Sequence, residues 1–137
     1  MVEAIFLDDY ERNERDKRIA PNPQAVETVI REIAPRSSAD VFLLSDSDDI
    51  GQASRWLAVT ASSGLYAVCA QLAEGGPRVN LLGDADAEGE IEFAHGGQGG
   101  TWPKRFVVEA DDAVAVACHY LVTRDLLDPP RWWADEH

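Results

Sequence analysis

The residues of this chain whose types could do chemistry are three histidines, two cysteines and one acidic run. Nucleophilic catalysis needs a nucleophile, a base and an orienting group brought together by the fold. His119 falls within a helical pattern beside Tyr120, and His137 is terminal. Only His95, at the mouth of the glycine-rich run His95-Gly96-Gly97-Gln98-Gly99-Gly100, stands where catalytic residues often gather. A turn histidine bonded to backbone is the simpler account of it. Neither a GxSxG elbow nor an HExxH pair occurs, so no enzyme is expected. Cys69 and Cys118 lie inside apolar runs and form no CxxC pair, which predicts buried free thiols.

The acidic run is Asp84-Ala85-Asp86-Ala87-Glu88-Gly89-Glu90-Ile91-Glu92. Oxygen ligands at its first, third and fifth positions with glycine at the sixth match the first half of a calcium loop. The second half fails, because His95 occupies the twelfth position, where a bidentate glutamate closes the shell, and the flanks read as strands. The run 46–51 is poorer still, with Ile50 at its fifth position. No metal or cofactor is therefore expected, and residues 84–92 read as an acidic turn facing solvent or a basic partner. Gly96-Gly97-Gln98 matches the tripeptide that peptide-release factors place in the ribosomal centre. Work against ribosomal RNA demands basic surroundings, so these glycines are read as a tight turn instead.

The charge balance separates the partner classes. Twelve Lys and Arg against 25 Asp and Glu give a net charge of -13. Nucleic-acid affinity rests on phosphate neutralisation by basic side chains, so such a surface repels nucleic acid and favours a basic protein. Arg12, Arg15, Lys17 and Arg18 do cluster, but Glu11, Glu14 and Asp16 interleave with them, and residues 11–23 read as a solvated loop. No stretch approaches the ~20 apolar residues of a membrane span. Asp8 and Asp9 interrupt the apolar run 2–7, which excludes a signal peptide and predicts a cytoplasmic protein.

The elements that must position these residues follow from periodicity. The length suits one compact domain over residues 1–137. Asn22 as N-cap and Pro23 at the first helical position open a helix whose stripe is Val26, Val29, Ile30 and Ile33, ended by Pro35. A strand-like run at 2–7 precedes this helix, and others follow it at 41–44, 56–60, 65–70 and 79–82, with short turn-rich connections. Residues 90–94 and 105–108 read as a hairpin around the glycine turn. Val114, Ala117, Cys118, Leu121 and Val122 then recur at helical spacing, and 131–133 form a short edge strand with one tryptophan packed inward. The fold class expected is α+β: an antiparallel meander with an N-terminal and a C-terminal helix packed on the sheet.

Residues 91–136, IEFAHGGQGGTWPKRFVVEADDAVAVACHYLVTRDLLDPPRWWADE, resemble the Imm1 family of bacterial immunity proteins, cytoplasmic antidotes encoded beside polymorphic toxins. The likeness rests on a strand entering a glycine turn, a second strand, an acidic helix start at 109–112, a helix through Val122, and a proline followed by a tryptophan-bearing strand. It implies a binding protein without catalysis, whose target is a toxin domain encoded next door, in this family often a nucleic-acid deaminase. The contact surface expected is Asp84, Asp86, Glu88, Glu90 and Glu92 with Tyr66, His95, Gln98 and Trp102: carboxylates for a basic cleft and aromatics as anchors. Period-two alternation puts Glu90 and Glu92 on one face and Ile91 and Phe93 on the other. The rival reading is an acidic protein-binding module, calcium-assisted through residues 84–92 and unrelated to immunity.

Overall fold

A computed structural model describes residues 1–128 and 131–134. Seven strands form one antiparallel sheet in the order β2-β1-β3-β4-β5-β6-β9. They are β1 (Ala4–Asp9), β2 (Glu14–Arg18), β3 (Ala39–Leu44), β4 (Trp56–Ser62), β5 (Leu65–Gln71), β6 (Arg78–Leu81) and β9 (Trp132–Ala134). A separate two-stranded hairpin joins β7 (Glu90–Glu92) to β8 (Thr101–Pro103). Helix α1 (Pro23–Glu32) connects β2 to β3, and α2 (Ala110–Thr123) follows the hairpin. The architecture is the expected α+β one, with both helices on the sheet.

Strand parity explains the layering. Ile5, Leu7, Val41, Leu43, Leu57, Val59, Ala61, Val68 and Ala70 alternate onto one face and are buried. Against them α1 packs Val26, Val29, Ile30 and Ile33, and α2 packs Ala113, Val116, Ala117, Tyr120 and Leu121. The cap of α1 is as read: Asn22 Oδ1 accepts the Ala25 N–H at 2.9 Å, with Pro23 opening the first turn. Ser63 and Gly64 close the β4–β5 hairpin with positive φ of 50° and 90°, the twist that a two-residue hairpin turn requires.

Several expectations are corrected. The run from Glu14 to Arg18 is a strand rather than loop: Arg18 pairs with Phe6 and Lys17 with Leu7. Its side chains are all exposed, although Arg15 lies over the Tyr10 ring, Arg18 lies over the Phe6 ring and the Asp16 N–H donates to Asp8 Oδ1, and an all-charged edge carries no alternation to read. The hairpin partner of β7 is Thr101–Pro103, not 105–108. Residues Lys104–Phe106 form a 3-10 turn that buries Phe106, and the Val108 N–H donates to the Tyr66 carbonyl at 2.9 Å, so this β-branched pair extends the edge of β5. The α2 stripe is wider than expected because the helix meets both the sheet and α1. Ala113, Val116 and Tyr120 join it, while Val122 is 54% exposed. Cys69 and Cys118 form no disulfide and are half-buried rather than buried. The tail strand is present as β9. Trp132 packs on the core and its Nε1–H donates to the Leu127 carbonyl at 3.0 Å. Pro129, Pro130 and His137, singled out in the sequence, lie outside the described residues.

Candidate functional site

The hairpin β7–β8 is built by short-range chemistry and then pinned to the main sheet. Glu90 stands opposite Pro103, Ile91 opposite Trp102 and Glu92 opposite Thr101. Thr101 Oγ1–H donates to Glu90 Oε2 at 2.9 Å. Beyond the strands, His95 and Gln98 exchange backbone hydrogen bonds of 3.0 and 2.9 Å around Gly96 and Gly97, whose φ values of 58° and 81° suit glycine. Gly97 has a second reason to be glycine: a Cβ there would lie 2.9 Å from the Tyr10 ring.

Two serine hydroxyls dock this unit. The Ala94 N–H donates to Ser62 Oγ and the Gly97 N–H to Ser38 Oγ, each at 3.0 Å. Phe93 is buried and starts a run of ring contacts: Phe93 to His95 at 4.7 Å, His95 to Trp102 at 4.4 Å and Trp102 to Phe106 at 5.8 Å. Burial lowers the His95 pKa, which keeps its imidazole neutral near pH 7. A cleft of about 410 Å³ separates the hairpin from the β4–β5 turn, lined by Ser37, Ser62, Ser63, Glu92, Phe93 and Ala94 among others.

The acidic connection precedes the hairpin. Gly83 donates its N–H to the Arg105 carbonyl at 2.8 Å, and a Cβ at that position would lie 2.0 Å from the Val107 carbonyl oxygen. That close approach fixes where the acidic run leaves the sheet. Asp84 Oδ1 then accepts the Asp86 N–H at 3.0 Å, a local turn. Asp84, Asp86, Glu88, Glu90, Glu92 and Gln98 are exposed, and His95 and Trp102 are half-buried. The fold brings these eight onto the hairpin and its lead-in. Tyr66 does not join them. It is 3% exposed and its hydroxyl donates to the Ile30 carbonyl at 2.5 Å, so parity makes it a strut under α1 rather than a surface anchor. Among the described residues no three His, Cys, Asp or Glu side chains converge as metal ligands.

Behind the glycine turn lies a group that sequence reasoning missed. Asp8 and Asp40 face each other across β1 and β3, on the side away from the helices, and both are buried. Thr60 Oγ1–H donates to Asp40 Oδ1 at 2.5 Å. Burial raises the Asp40 pKa to about 6 against the opposing Thr60 bond, with the Asp8 charge adding to the rise. The Tyr10 hydroxyl, raised by burial and by Asp40, completes the group beneath Gly97. The available signal was an aspartate at the end of each of two apolar runs, Asp8 after 2–7 and Asp40 before 41–44.

No curated protein matches the chain. A family model, described as immunity protein Imm1, matches residues 14–133. That span runs from β2 into β9 and includes the hairpin, its acidic lead-in and both helices. The chain belongs to the Imm1 family of immunity proteins.

Proposed function

We propose that this immunity protein neutralises the toxin domain encoded beside it by laying the acidic hairpin over the toxin's basic active-site cleft. One observation carries the reading. Asp84, Asp86, Glu88, Glu90 and Glu92 are all exposed along a unit that stands apart from the main sheet yet is pinned to it by Ser38 and Ser62. A pinned unit meets its partner with little ordering entropy left to lose.

A toxin that acts on nucleic acid, such as a deaminase, must bind a polyanion and so carries a basic cleft. Carboxylates seated there exclude the substrate by competition, and the net charge of -13 speeds the encounter. His95, held neutral, adds no repelling charge at the rim, and Gln98 and Trp102 supply a polar and an apolar contact. The protein does no chemistry itself, and it works in the cytoplasm, where the toxin would otherwise reach its substrate.

Co-expression with the neighbouring toxin gene tests this. Wild-type protein rescues growth, and Glu90→Lys with Glu92→Lys loses rescue while remaining folded. Equal killing with and without the wild-type protein defeats the proposal.

A further inference from the structure

The helix-free side of the sheet carries a second kind of surface. Parity and register put Trp56, Arg78 and Trp133 on this side, at its β4, β6 and β9 end. Arg78 lies over the Trp56 ring, 5.4 Å from its centre. Arg105 lies between Phe106 and Trp133, at 4.9 and 5.5 Å from their centres. Arg78 is exposed, and Trp133 is 48% exposed. Buried Phe106 ties the strip to the hairpin from beneath, because its ring also contacts Trp102 of β8.

Area and charge say what it is for. A stable complex buries roughly 800 Å² per partner, a sizeable part of the 7271 Å² surface of this chain. Two three-residue strands with their turn and lead-in are a small platform for that, so a tight complex draws on adjoining surface. A guanidinium held over an indole still has N–H groups to spare, and these pair with carboxylates in a two-toothed grip. Tryptophan and arginine are also the residue types that dominate interface energies.

We propose that this Arg–Trp strip is the second half of the docking surface and grips a carboxylate-bearing shoulder beside the toxin's basic cleft. The proposal rests on the hairpin reading above. The two halves then divide the work. The acidic hairpin draws the partner in, and the opposite-signed strip fixes register and slows release.

Binding kinetics with the purified toxin domain of the adjacent gene separate the halves. Trp133→Ala and Arg78→Glu each raise the dissociation rate about tenfold or more, with the association rate changed no more than about twofold. Glu90→Lys with Glu92→Lys instead lowers the association rate. Arg78 is an exposed side chain whose reversal leaves the core intact, so it decides the matter if Trp133→Ala misfolds. Wild-type dissociation in Arg78→Glu overturns the strip while leaving the hairpin reading standing. Absence of any complex with the wild-type protein overturns both.

Discussion

Asp40 shares its strip of sheet with Asp8, and Thr60, the Arg15 charge and Tyr10 only partly offset the cost of a second buried charge. The folded protein holds the Asp40 proton to about pH 6, whereas the ordinary carboxyl releases it at 3.8. Between those values the folded state binds more protons than the unfolded chain. The stability tied to the protonated form is therefore complete below about pH 4 and lost as pH rises through 6. At about 1.4 kcal/mol per decade, the ionised carboxylate costs at most about 3 kcal/mol. Asp40→Asn keeps an acceptor for Thr60 and removes the charge. It should stabilise the fold at pH 7.5 by about 1 to 3 kcal/mol and make no difference near pH 4. Thermal melts of the two proteins across that range check it, and equal midpoints at pH 7.5 count against the account. At this scale the sequence shows residue types but not facing. Glu90 and Glu92 were readable as outward from alternation alone, whereas Tyr66 was not, because one polar atom on an aromatic ring suits a rim and a core equally well.

The hairpin β7–β8 is too short to hold its position unaided, since an isolated two-stranded unit is marginal in water. Its placement depends on Phe93 and on the two serine hydroxyls that accept from Ala94 and Gly97. Replacing Ser38 and Ser62 together by alanine removes the two hydrogen bonds to the hairpin, about 1 kcal/mol each, and the Ser62 bond to the Ser37 carbonyl; the first two losses fall on local opening of the hairpin. Hydrogen exchange at the Ala94 and Gly97 amides should quicken by about tenfold or more while amides at the centre of β4 and β5 stay protected. Uniform loss across the sheet would show the serines to be general supports instead. Elements with local signatures were legible in advance. Helix α1 announces itself through Asn22-Pro23, and β4 and β5 through apolar runs around Ser63-Gly64. Strand β2 was not legible, because its five residues are all charged and exposed and its pairing with β1 is a property of both strands.

For the molecule as a whole, the proposed docking has the excess of negative charge act before contact. Exposed charges are screened beyond roughly 10 Å at 0.1 M salt, so the steering contributed by a net charge of -13 must weaken as salt rises. The association rate with the toxin domain should fall about tenfold or more between low and physiological ionic strength, with a far smaller change in the dissociation rate. Glu90→Lys with Glu92→Lys should flatten that dependence. Stopped-flow measurements at several salt concentrations check it, and a salt-independent association rate removes the role assigned to the acidic surface.

The sequence by itself determined what is local or additive. Capping, alternation, helical spacing, turn glycines and net charge each depend on residues within a few positions or on a simple sum, so the α+β class, the helix starts, the acidic lead-in and the family resemblance could be read directly. Tertiary structure alone decided what depends on register between distant segments. It set β7 against Thr101–Pro103 rather than 105–108, turned Tyr66 under α1, opposed Asp8 to Asp40, and stacked Arg105 on Trp133. A one-residue slip in any of these pairings would move a side chain to the other face of the sheet. No single segment carries the information that prevents it. That information lies in how the whole core closes between the helices and the sheet.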